Sequence, residues 1–445
     1  MQRIFLILIS AILLNTTTLF AQKVFTEYWD NNQKATEGAR IDSIKVGKWT
    51  WWYKNGQVMQ EGSYNNQGQK IETWTYWYEN GKKWKNEPFN NGVYNVWFED
   101  GQKKTEVKIV NGKRDGLYQE WYVNGNLKER YTYVKGSREG LTESWFEDGS
   151  LQFSCTFIGD KLNGYGIWKC KNGNKEMEGT LKDDLQDSIW TFYYENGKRG
   201  SKGLFTSGQQ EGKWVYWYET GEKWKEGSYK KGERTGEWTA WYENKNVQRK
   251  GSFVNDKEDG EWTSWYPNGQ MQDKGNFSLG KMNGNWEGWY INGKQKYQTS
   301  YTDGLKDGHD IFWFENGRKK SEGNMRKGLP DSEWTQWSDR GVILENGKYK
   351  NGEKTGMWSF YDTYGSKYKE QNFTNGKPDG KWVEYHANGK KSGEGQYIGM
   401  LRTGTWQYWD KAGNLIYKII YDKGKKIKEE KPMERPKEGG ARIPE

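Results

Sequence analysis

Apolar and polar positions along this chain follow a repeat of 24 residues. The pattern G-x-W-x-x-W-Y-x-N-G begins at Gly92 and recurs thirteen more times at that spacing, with the last copy beginning at Gly404. Two further copies begin at Gly47 and Glu72, at spacings of 25 and 20 residues. A fixed period of this size indicates stacked repeat units, so we expect an array of sixteen copies rather than separate globular domains.

Each copy is expected to form one β-hairpin. In residues 212–236, a short run of aromatic and β-branched residues predicts a strand, and it ends at a glycine-containing turn. In most copies this turn is Asn-Gly, as at Asn196-Gly197 and Asn268-Gly269, which favours a positive-φ turn between antiparallel strands. The return strand ends in an aromatic residue, Tyr229 here, and a second turn follows.

If the Asn-Gly pair is the centre of the first turn, the first tryptophan of a copy faces a glycine on the return strand. We expect its ring to cover that bare backbone and to recover packing that glycine forfeits. The predicted structural pairs are Trp214 with Gly227, Trp238 with Gly251, and Trp262 with Gly275.

The second tryptophan of each copy lies three positions after the first, so alternation places it on the opposite face of the sheet. One interpretation is that these rows provide only cohesion along the sheet. The other is that one face stays accessible, because long exposed aromatic rows usually mark an interaction surface. The candidate interaction surface consists of Trp217, Trp241, Trp265, Trp289 and Trp313.

Taken together, the repeats predict an all-β protein. The expected fold is an elongated single-layer antiparallel sheet of about sixteen tandem 24-residue β-hairpins, shaped as a twisted ribbon or solenoid. Open sheets of more than about ten strands normally curl, which is why a flat array is not expected.

The repeated G-x-W-x-x-W-Y-x-N-G, with a following E-G-x-Y, resembles the MORN repeat superfamily. It is most similar to the bacterial MORN variant found in proteins labelled YwqK-like antitoxins, and the resemblance covers roughly residues 47–421. The resemblance implies successive hairpins in a single-layer sheet and a role in protein or phospholipid binding. The antitoxin label implies a toxin partner in the cytoplasm.

Composition supports an aromatic fold with little aliphatic core. Aromatic residues make up 17% of the chain, including 28 Trp and 30 Tyr, so rigid rings replace the usual aliphatic mass. The net charge of +9 comes from 69 basic and 60 acidic residues with both signs interspersed. Such a charge favours solubility and acidic partners but does not specify a fold.

The residue types that carry chemistry are scarce and scattered. His309 and His386 lie three copies apart, roughly 30 Å in a regular array, so they cannot share a metal ion. No nucleophile or phosphate-loop motif occurs. Cys155 and Cys170 stand in adjacent copies, and a disulfide or two free thiols are equally compatible with their positions. We therefore expect no enzyme, no metal site and no cofactor.

The N-terminus reads as a cleavable secretory signal. Arg3 precedes an apolar run over residues 4–14, which is too short for a membrane-spanning helix, and a polar stretch ends at Ala21. The expected organisation is a signal peptide (1–21), a cap with a partial repeat (22–46), the repeat array (47–424) and a charged, disordered tail (425–445). The mature chain would have no transmembrane segment and would be periplasmic or extracellular.

These features predict an exported, non-enzymatic scaffold for protein–protein interaction at the cell envelope or outside the cell. A protein is the first expected partner. Two alternatives use the aromatic rows to bind a carbohydrate or phospholipid headgroups, and a third is an antitoxin-like partner of a toxin. Nucleic acid is not expected as a partner of an exported chain.

Overall fold

The computed structural model describes residues 23–431, and within that range the chain consists of strands and turns without a helix. Its 36 strands pair antiparallel, so the predicted all-β hairpin fold is confirmed. The predicted signal peptide and the end of the predicted tail, residues 432–445, lie outside the described residues.

The chain divides into two units, of which unit 1 comprises residues 1–199 and 205–208 and unit 2 comprises residues 200–204 and 209–445. Strand β17, Arg199–Thr206, is divided between them. Unit 1 contains β1 Lys23–Tyr28, β2 Lys34–Ile41, β3 Ile44–Trp52, β4 Val58–Tyr64, β5 Lys70–Trp77, β6 Lys83–Pro88, β7 Gly92–Trp97, β8 Lys103–Val110, β9 Lys113–Arg114, β10 Gly116–Trp121, β11 Leu127–Val134, β12 Ser137–Trp145, β13 Leu151–Ile158, β14 Lys161–Lys169, β15 Lys175–Lys182 and β16 Leu185–Tyr193.

The strands of unit 2 have the same lengths and the same alternation of first and return strands. They are β18 Gln209–Trp217, β19 Lys223–Lys230, β20 Glu233–Trp241, β21 Val247–Val254, β22 Lys257–Trp265, β23 Met271–Ser278, β24 Lys281–Trp289, β25 Gln295–Thr302, β26 Leu305–Trp313, β27 Lys319–Arg326, β28 Leu329–Trp337, β29 Ile343–Lys350, β30 Glu353–Tyr361, β31 Lys367–Thr374, β32 Lys377–Tyr385, β33 Lys391–Ile398, β34 Leu401–Trp409, β35 Leu415–Asp422 and β36 Lys425–Glu430.

The ends of the array differ in one respect from the sequence expectation. The cap residues before Gly47 form the hairpin β1–β2 and the start of β3. The tail was predicted to be disordered from residue 425, but Lys425–Glu430 instead forms β36 and pairs with β35. All six of its side chains are exposed, so hydrogen bonding of its backbone to β35, rather than apolar burial, fixes this strand.

The two kinds of turn are the reverse of the sequence expectation. At the Asn-Gly turn of one copy, Gly269 N–H donates to Tyr266 O and Tyr266 N–H donates to Gln270 O, both at 2.8 Å. Only the glycine of that pair takes a left-handed backbone, with φ 86°. The asparagine instead accepts Gln270 N–H on its own Oδ1 at 3.0 Å. This is the longer turn with a glycine bulge.

The short turn with two left-handed residues is the second turn of each copy. At Lys231-Gly232 the φ values are 51° and 84°, and Asn375-Gly376 shows the same pattern. Two consecutive positive φ values are the signature of the tight two-residue hairpin turn. The sequence marks this turn less clearly than Asn-Gly, since lysine often holds its first position.

Tryptophan on glycine builds the core of unit 2, in a different direction from the predicted one. The strand register does pair Trp214 with Gly227, Trp238 with Gly251 and Trp262 with Gly275. The rings, however, cover the glycine of the preceding copy. A Cβ added to Gly227 would lie 2.1 Å from the Trp238 ring, and Gly251 and Gly275 have the same relation to Trp262 and Trp286.

A hydrogen bond explains this direction. The indole Nε1–H of Trp238 donates to Ser228 O at 3.2 Å, one residue beyond the glycine that the ring covers, and Trp214 and Trp262 repeat this bond to Leu204 O and Ser252 O. The three rings are 1%, 6% and 4% exposed for Trp214, Trp238 and Trp262. Trp238 and Trp262 pack with Phe253 into one cluster.

Unit 1 contains copies that lack this device. Its largest cluster consists of Val107, Ile109, Tyr118, Tyr131, Tyr133 and Phe157. The rings of Tyr118 and Tyr131 stack with centroids 4.6 Å apart. Where tryptophan and glycine are both missing, two tyrosines fill the same layer.

Candidate interaction surface

Each unit has a core face, which carries the covered tryptophans or their replacements, and an open face on the other side of the strands. In unit 2 the register places Val215 opposite Glu226, and Glu226 opposite Thr239, on the open face. A bulge at the end of each first strand, for example between Tyr216 and Trp217, sets Trp217 opposite Lys223.

The predicted interaction residues Trp217, Trp241, Trp265, Trp289 and Trp313 are half-buried, in contrast to the buried core tryptophans. Their main chains are held by the preceding copies. The hydroxyls of Tyr218, Tyr242, Tyr266 and Tyr290 donate to the carbonyls of Trp241, Trp265, Trp289 and Trp313 at 2.7–3.0 Å. The aromatic row, as we call these five residues, therefore combines a fixed backbone with partly accessible rings.

Trp241 shows what surrounds such a ring. Lys223 Nζ lies 4.9 Å from the ring centroid, within the range of a cation–π contact. The same ammonium forms an ion pair with Glu226 at 3.0 Å, and Lys213 approaches that carboxylate at 3.4 Å. On the turn side, Lys245 pairs with Glu222 at 3.4 Å. The ring is thus bordered by charges of both signs.

These lysines shift the pKa of the carboxylate. Partial burial acts to raise the pKa of Glu226, but hydrogen bonds and charge from Lys223 and Lys213 outweigh it, so the pKa is lowered. Glu226 stays ionised at neutral pH. The surface around Trp241 is therefore zwitterionic rather than basic.

Other copies repeat the lysine–glutamate pair three residues apart. Where tyrosine replaces the second tryptophan, its hydroxyl binds the glutamate: Tyr385 donates to Glu370 at 2.9 Å, and Lys367 pairs with the same carboxylate at 2.7 Å. In another copy, Glu322 pairs with Lys319 at 2.7 Å and lies 3.2 Å from His309 Nε2.

Sequence reasoning missed a second feature, on the open face of unit 1. The residue just before the core position is apolar in five successive copies, and each side chain is about half exposed. We call these residues the apolar stripe: Val93, Leu117, Leu141, Tyr165 and Ile189, which are 45%, 48%, 55%, 55% and 52% exposed. Comparing copies position by position would have found it, because the spacing is 24 residues throughout.

The scarce chemical residues do not assemble a reactive site. Cys155 and Cys170 are free thiols. Phe153 pairs with Trp168, so Cys170 lies past that level, in the turn, while Cys155 lies inside the strand. Burial raises the pKa of the Cys155 thiol. His386 Nε2 lies 2.9 Å from Trp409 O, where other copies use a tyrosine hydroxyl.

Residues 23–431 hold no group of three or more His, Cys, Asp or Glu side chains placed to bind a metal ion. In the same range, no helix has the length and apolar character needed to cross a membrane.

The fold and this surface define a class of protein: an all-β tandem-repeat protein with one packed face and one open face. Seven stretches match the family model described as MORN repeat variant, and these matches support a MORN-repeat protein. The matched residues are 45–66, 114–135, 210–231, 234–255, 258–278, 378–398 and 402–423. MORN repeats are generally interaction repeats for proteins or membranes.

Solved structures give only distant similarity. The crystal structure of TcdB2-TccC3 matches with 11% identity over 91% of this chain and 25% of that chain, at a TM-score of 0.15. A Photorhabdus luminescens Tc holotoxin pore matches with 11% identity over 90% and 25%, also at 0.15. The chain spans about a quarter of the length of these proteins. TM-scores this low show neither a shared fold nor a shared function. No curated protein matches the sequence.

Proposed function

We propose that this chain is an exported, non-enzymatic scaffold that binds a protein partner through the aromatic row of unit 2. The observation that carries the proposal is the contrast between two kinds of tryptophan. The core rings are buried on glycine, whereas Trp217, Trp241, Trp265, Trp289 and Trp313 keep accessible ring surface at a constant repeat position. Aromatic anchors of this kind dominate protein interfaces.

The charges beside the rings favour a protein over an anionic membrane. A membrane surface attracts lysines whose charge is not already balanced. Here Lys223 is paired with Glu226 and Lys319 with Glu322, so each lysine near the row carries a matching carboxylate. A protein surface with both signs of charge complements such a pattern, and the YwqK-like subtype would supply one such partner in a toxin.

Export is part of the proposal and is supported by the sequence pattern of residues 1–21. Expression in the bacterial source followed by mass measurement of the N-terminal peptide tests it. We expect the protein from the periplasm or medium to begin at Gln22. A full-length N-terminus on a cytoplasmic protein would contradict export.

Affinity capture with the chain from Gln22 tests the binding function, using envelope and culture-medium extracts. We expect one stoichiometric protein partner with the parent chain and its loss with Trp241→Ala/Trp265→Ala. Glu226→Lys, which keeps every ring and reverses one charge, is expected to weaken capture. Lys257→Ala is the matched control in the same unit and should leave it unchanged.

The alternatives give different outcomes in the same experiment. Retention of a polysaccharide or phospholipid in a Trp241-dependent way, without a protein, would contradict the protein-scaffold function. Circular dichroism of each variant ensures that a loss of capture is a loss of surface rather than of fold.

A further inference from the structure

The apolar stripe of unit 1 is continuous across neighbouring strands. Leu117 on β10 pairs with Thr132 on β11, and Leu141 on β12 pairs with Thr156 on β13. Tyr165 on β14 pairs with Thr180 on β15. Apolar residues and threonines therefore alternate from strand to strand along one line of the open face, which is one residue wide.

The fold does not require this stripe. In unit 2 the same repeat position is filled largely by charged or polar residues, and these form ion pairs across the strands. Glu237 pairs with Lys250, and Glu261 with Lys274, both at 3.0 Å. Because the hairpins are formed equally well with glutamate there, the exposed leucines of unit 1 need an explanation other than folding.

The spacing of the stripe indicates the shape of its occupant. Consecutive members lie two strands apart, which is about 10 Å. An α-helix presents the same side every seven residues, a rise of about 10.5 Å. A helix laid along the stripe would therefore place one apolar side chain against each member, whereas an extended strand, with a same-face repeat of about 7 Å, would fall out of step.

The width and area of the stripe point the same way. A single line of side chains fits the narrow contact of a cylinder, while a packed sheet needs several lines of interdigitating side chains. With about half of each side chain accessible, the stripe offers roughly 500 Å². Two copies meeting through it would bury roughly 1,000 Å², at the lower limit for a specific interface and well below a stable dimer.

Charge complementarity defines one flank of the helix. Thr132 is followed across the sheet by Glu139, and Thr180 by Asp187, so carboxylates border the stripe on the side of the second turns. Glu139 Oε1 accepts Gly159 N–H at 2.8 Å, which holds that side chain in place. A partner would match this border with lysine or arginine.

We infer that the open face of unit 1 binds an amphipathic α-helix of another protein, about four heptads long. Its apolar side chains recur at every seventh residue and contact Val93, Leu117, Leu141, Tyr165 and Ile189. Its basic residues lie on the flank that faces Glu139 and Asp187. This surface lies in a different unit from the aromatic row, so it stands or falls separately from the proposed function.

A synthetic peptide tests this inference directly. The probe is an amidated 29-residue helix with leucine at every seventh position and lysine on one flank. Calorimetric titration into the chain from Gln22 should give saturable one-to-one binding with a gain in peptide helicity. Leu117→Gln/Leu141→Gln should weaken it at least tenfold, and Glu237→Gln/Glu261→Gln, the matched change in unit 2, should leave it within twofold.

Two further probes separate the geometry from general stickiness. A peptide of identical composition with leucine at every fifth position should bind at least tenfold more weakly. Glu139→Gln should weaken the lysine-flanked peptide and not a glutamine-flanked one. Equal binding of the two spacings, or binding by Leu117→Gln/Leu141→Gln within twofold of the parent chain, would overturn the inference.

The other occupants are distinguishable. Dimerisation of the unliganded chain that Leu117→Gln/Leu141→Gln abolishes would assign the stripe to a second copy and overturn the inference. Stripe-dependent binding to phosphatidylglycerol vesicles without peptide binding would assign it to a lipid surface and overturn it as well. Circular dichroism confirms that the variants are folded before either result is interpreted.

Discussion

The copies between Gly92 and Gly166 in unit 1 and those between Gly212 and Gly284 in unit 2 share one backbone but have different packing. In unit 2, Gly227 lies under Trp238 of the next copy. In unit 1 the corresponding pairs are Tyr131 with Thr142 and Cys155 with Gly166, and the Cys155 sulfur lies 3.3 Å from where a Cβ on Gly166 would be. A large residue in one position is matched by a small one in the other.

This comparison shows which residues form a packing unit. The size match holds between a return strand and the first strand of the next copy. It fails within one copy, where Tyr118 and Tyr131 are both large and are direct partners. Each copy therefore completes the core of the one before it, which is the nearest-neighbour coupling expected of a repeat protein.

The open faces differ as well. Unit 1 exposes leucine, valine, isoleucine and tyrosine at the position where unit 2 places ion-paired Glu237 and Glu261. The core face is thus constrained by packing in both units, while the open face is free to vary and has become apolar in one of them.

The largest effect is expected from adding one methyl group to the core of unit 2. Gly227→Ala would place its Cβ 2.1 Å from the Trp238 ring, which is itself buried and hydrogen-bonded. We expect a loss of about 3 kcal/mol. Urea unfolding and hydrogen exchange of β19 and β20 measure it.

Gly166→Ala is the comparison variant in unit 1. Its nearest contacts are the outer carbons of Trp168 at 2.8 Å and the Cys155 sulfur at 3.3 Å, which leave more room to adjust. We expect a loss of about 1 kcal/mol. Equal losses at the two sites would show that the covering ring is not the cause.

Transplanting the unit 1 solution into unit 2 should recover stability. Gly227→Tyr alone should destabilise strongly, and Gly227→Tyr/Trp238→Thr, copied from Tyr131 and Thr142, should recover about 2 kcal/mol of that loss. Urea unfolding of the two single variants and the double variant gives the coupling energy. Strict additivity would contradict the proposed packing unit.

The pH dependence of the two regions should have opposite signs. Burial, with the neighbouring Glu120 carboxylate, raises the pKa of Glu129 in unit 1, so its contribution to stability is present at low pH and is lost as pH rises through the folded pKa. Glu129→Gln should therefore stabilise the chain at pH 7 and have little effect at pH 4.

The pKa of Glu226 in unit 2 is lowered, despite its burial, by Lys223 and Lys213. Its contribution is present above the unfolded pKa and is lost as pH falls through the folded pKa. Glu226→Gln should destabilise at pH 7 by about 0.5 kcal/mol or less. Urea midpoints at pH 4 and pH 7 for both variants check the signs, and shifts of the same sign would contradict this account.

The smallest effect is expected on the open face of unit 2. Glu237 and Lys250 form an ion pair at 3.0 Å with side chains 63% and 48% exposed. Glu237→Gln should change stability by less than about 0.5 kcal/mol, and the change should vanish in 1 M salt. Thermal melts at low and high salt measure it. A larger, salt-independent loss would mean that this position contributes to folding.

The hairpins, their register and the two aromatic rows could be predicted from the sequence because side-chain alternation and glycine turns are local signals. The direction of ring cover could not, since it depends on the left-handed Gly236, with φ 63°, and on the indole bond of Trp238 to Ser228. The size match between Tyr131 and Thr142 was a signal that would have given this direction.

The turn types were assigned the wrong way round for a similar reason. The asparagine of the Asn-Gly pair binds its own turn through its side chain, so it does not need a positive φ. The apolar stripe was visible as a column in the sequence, but its importance depends on exposure, which only the packed structure supplies.

The central claim is that the apolar stripe serves binding and not folding, and one paired measurement tests it. Unfolding free energy and peptide affinity are determined together for Leu117→Gln/Leu141→Gln. We expect stability to stay within about 1 kcal/mol while affinity for the seven-residue-spaced helix falls at least tenfold. Loss of about 3 kcal/mol or more of stability, with peptide affinity unchanged, would contradict the account.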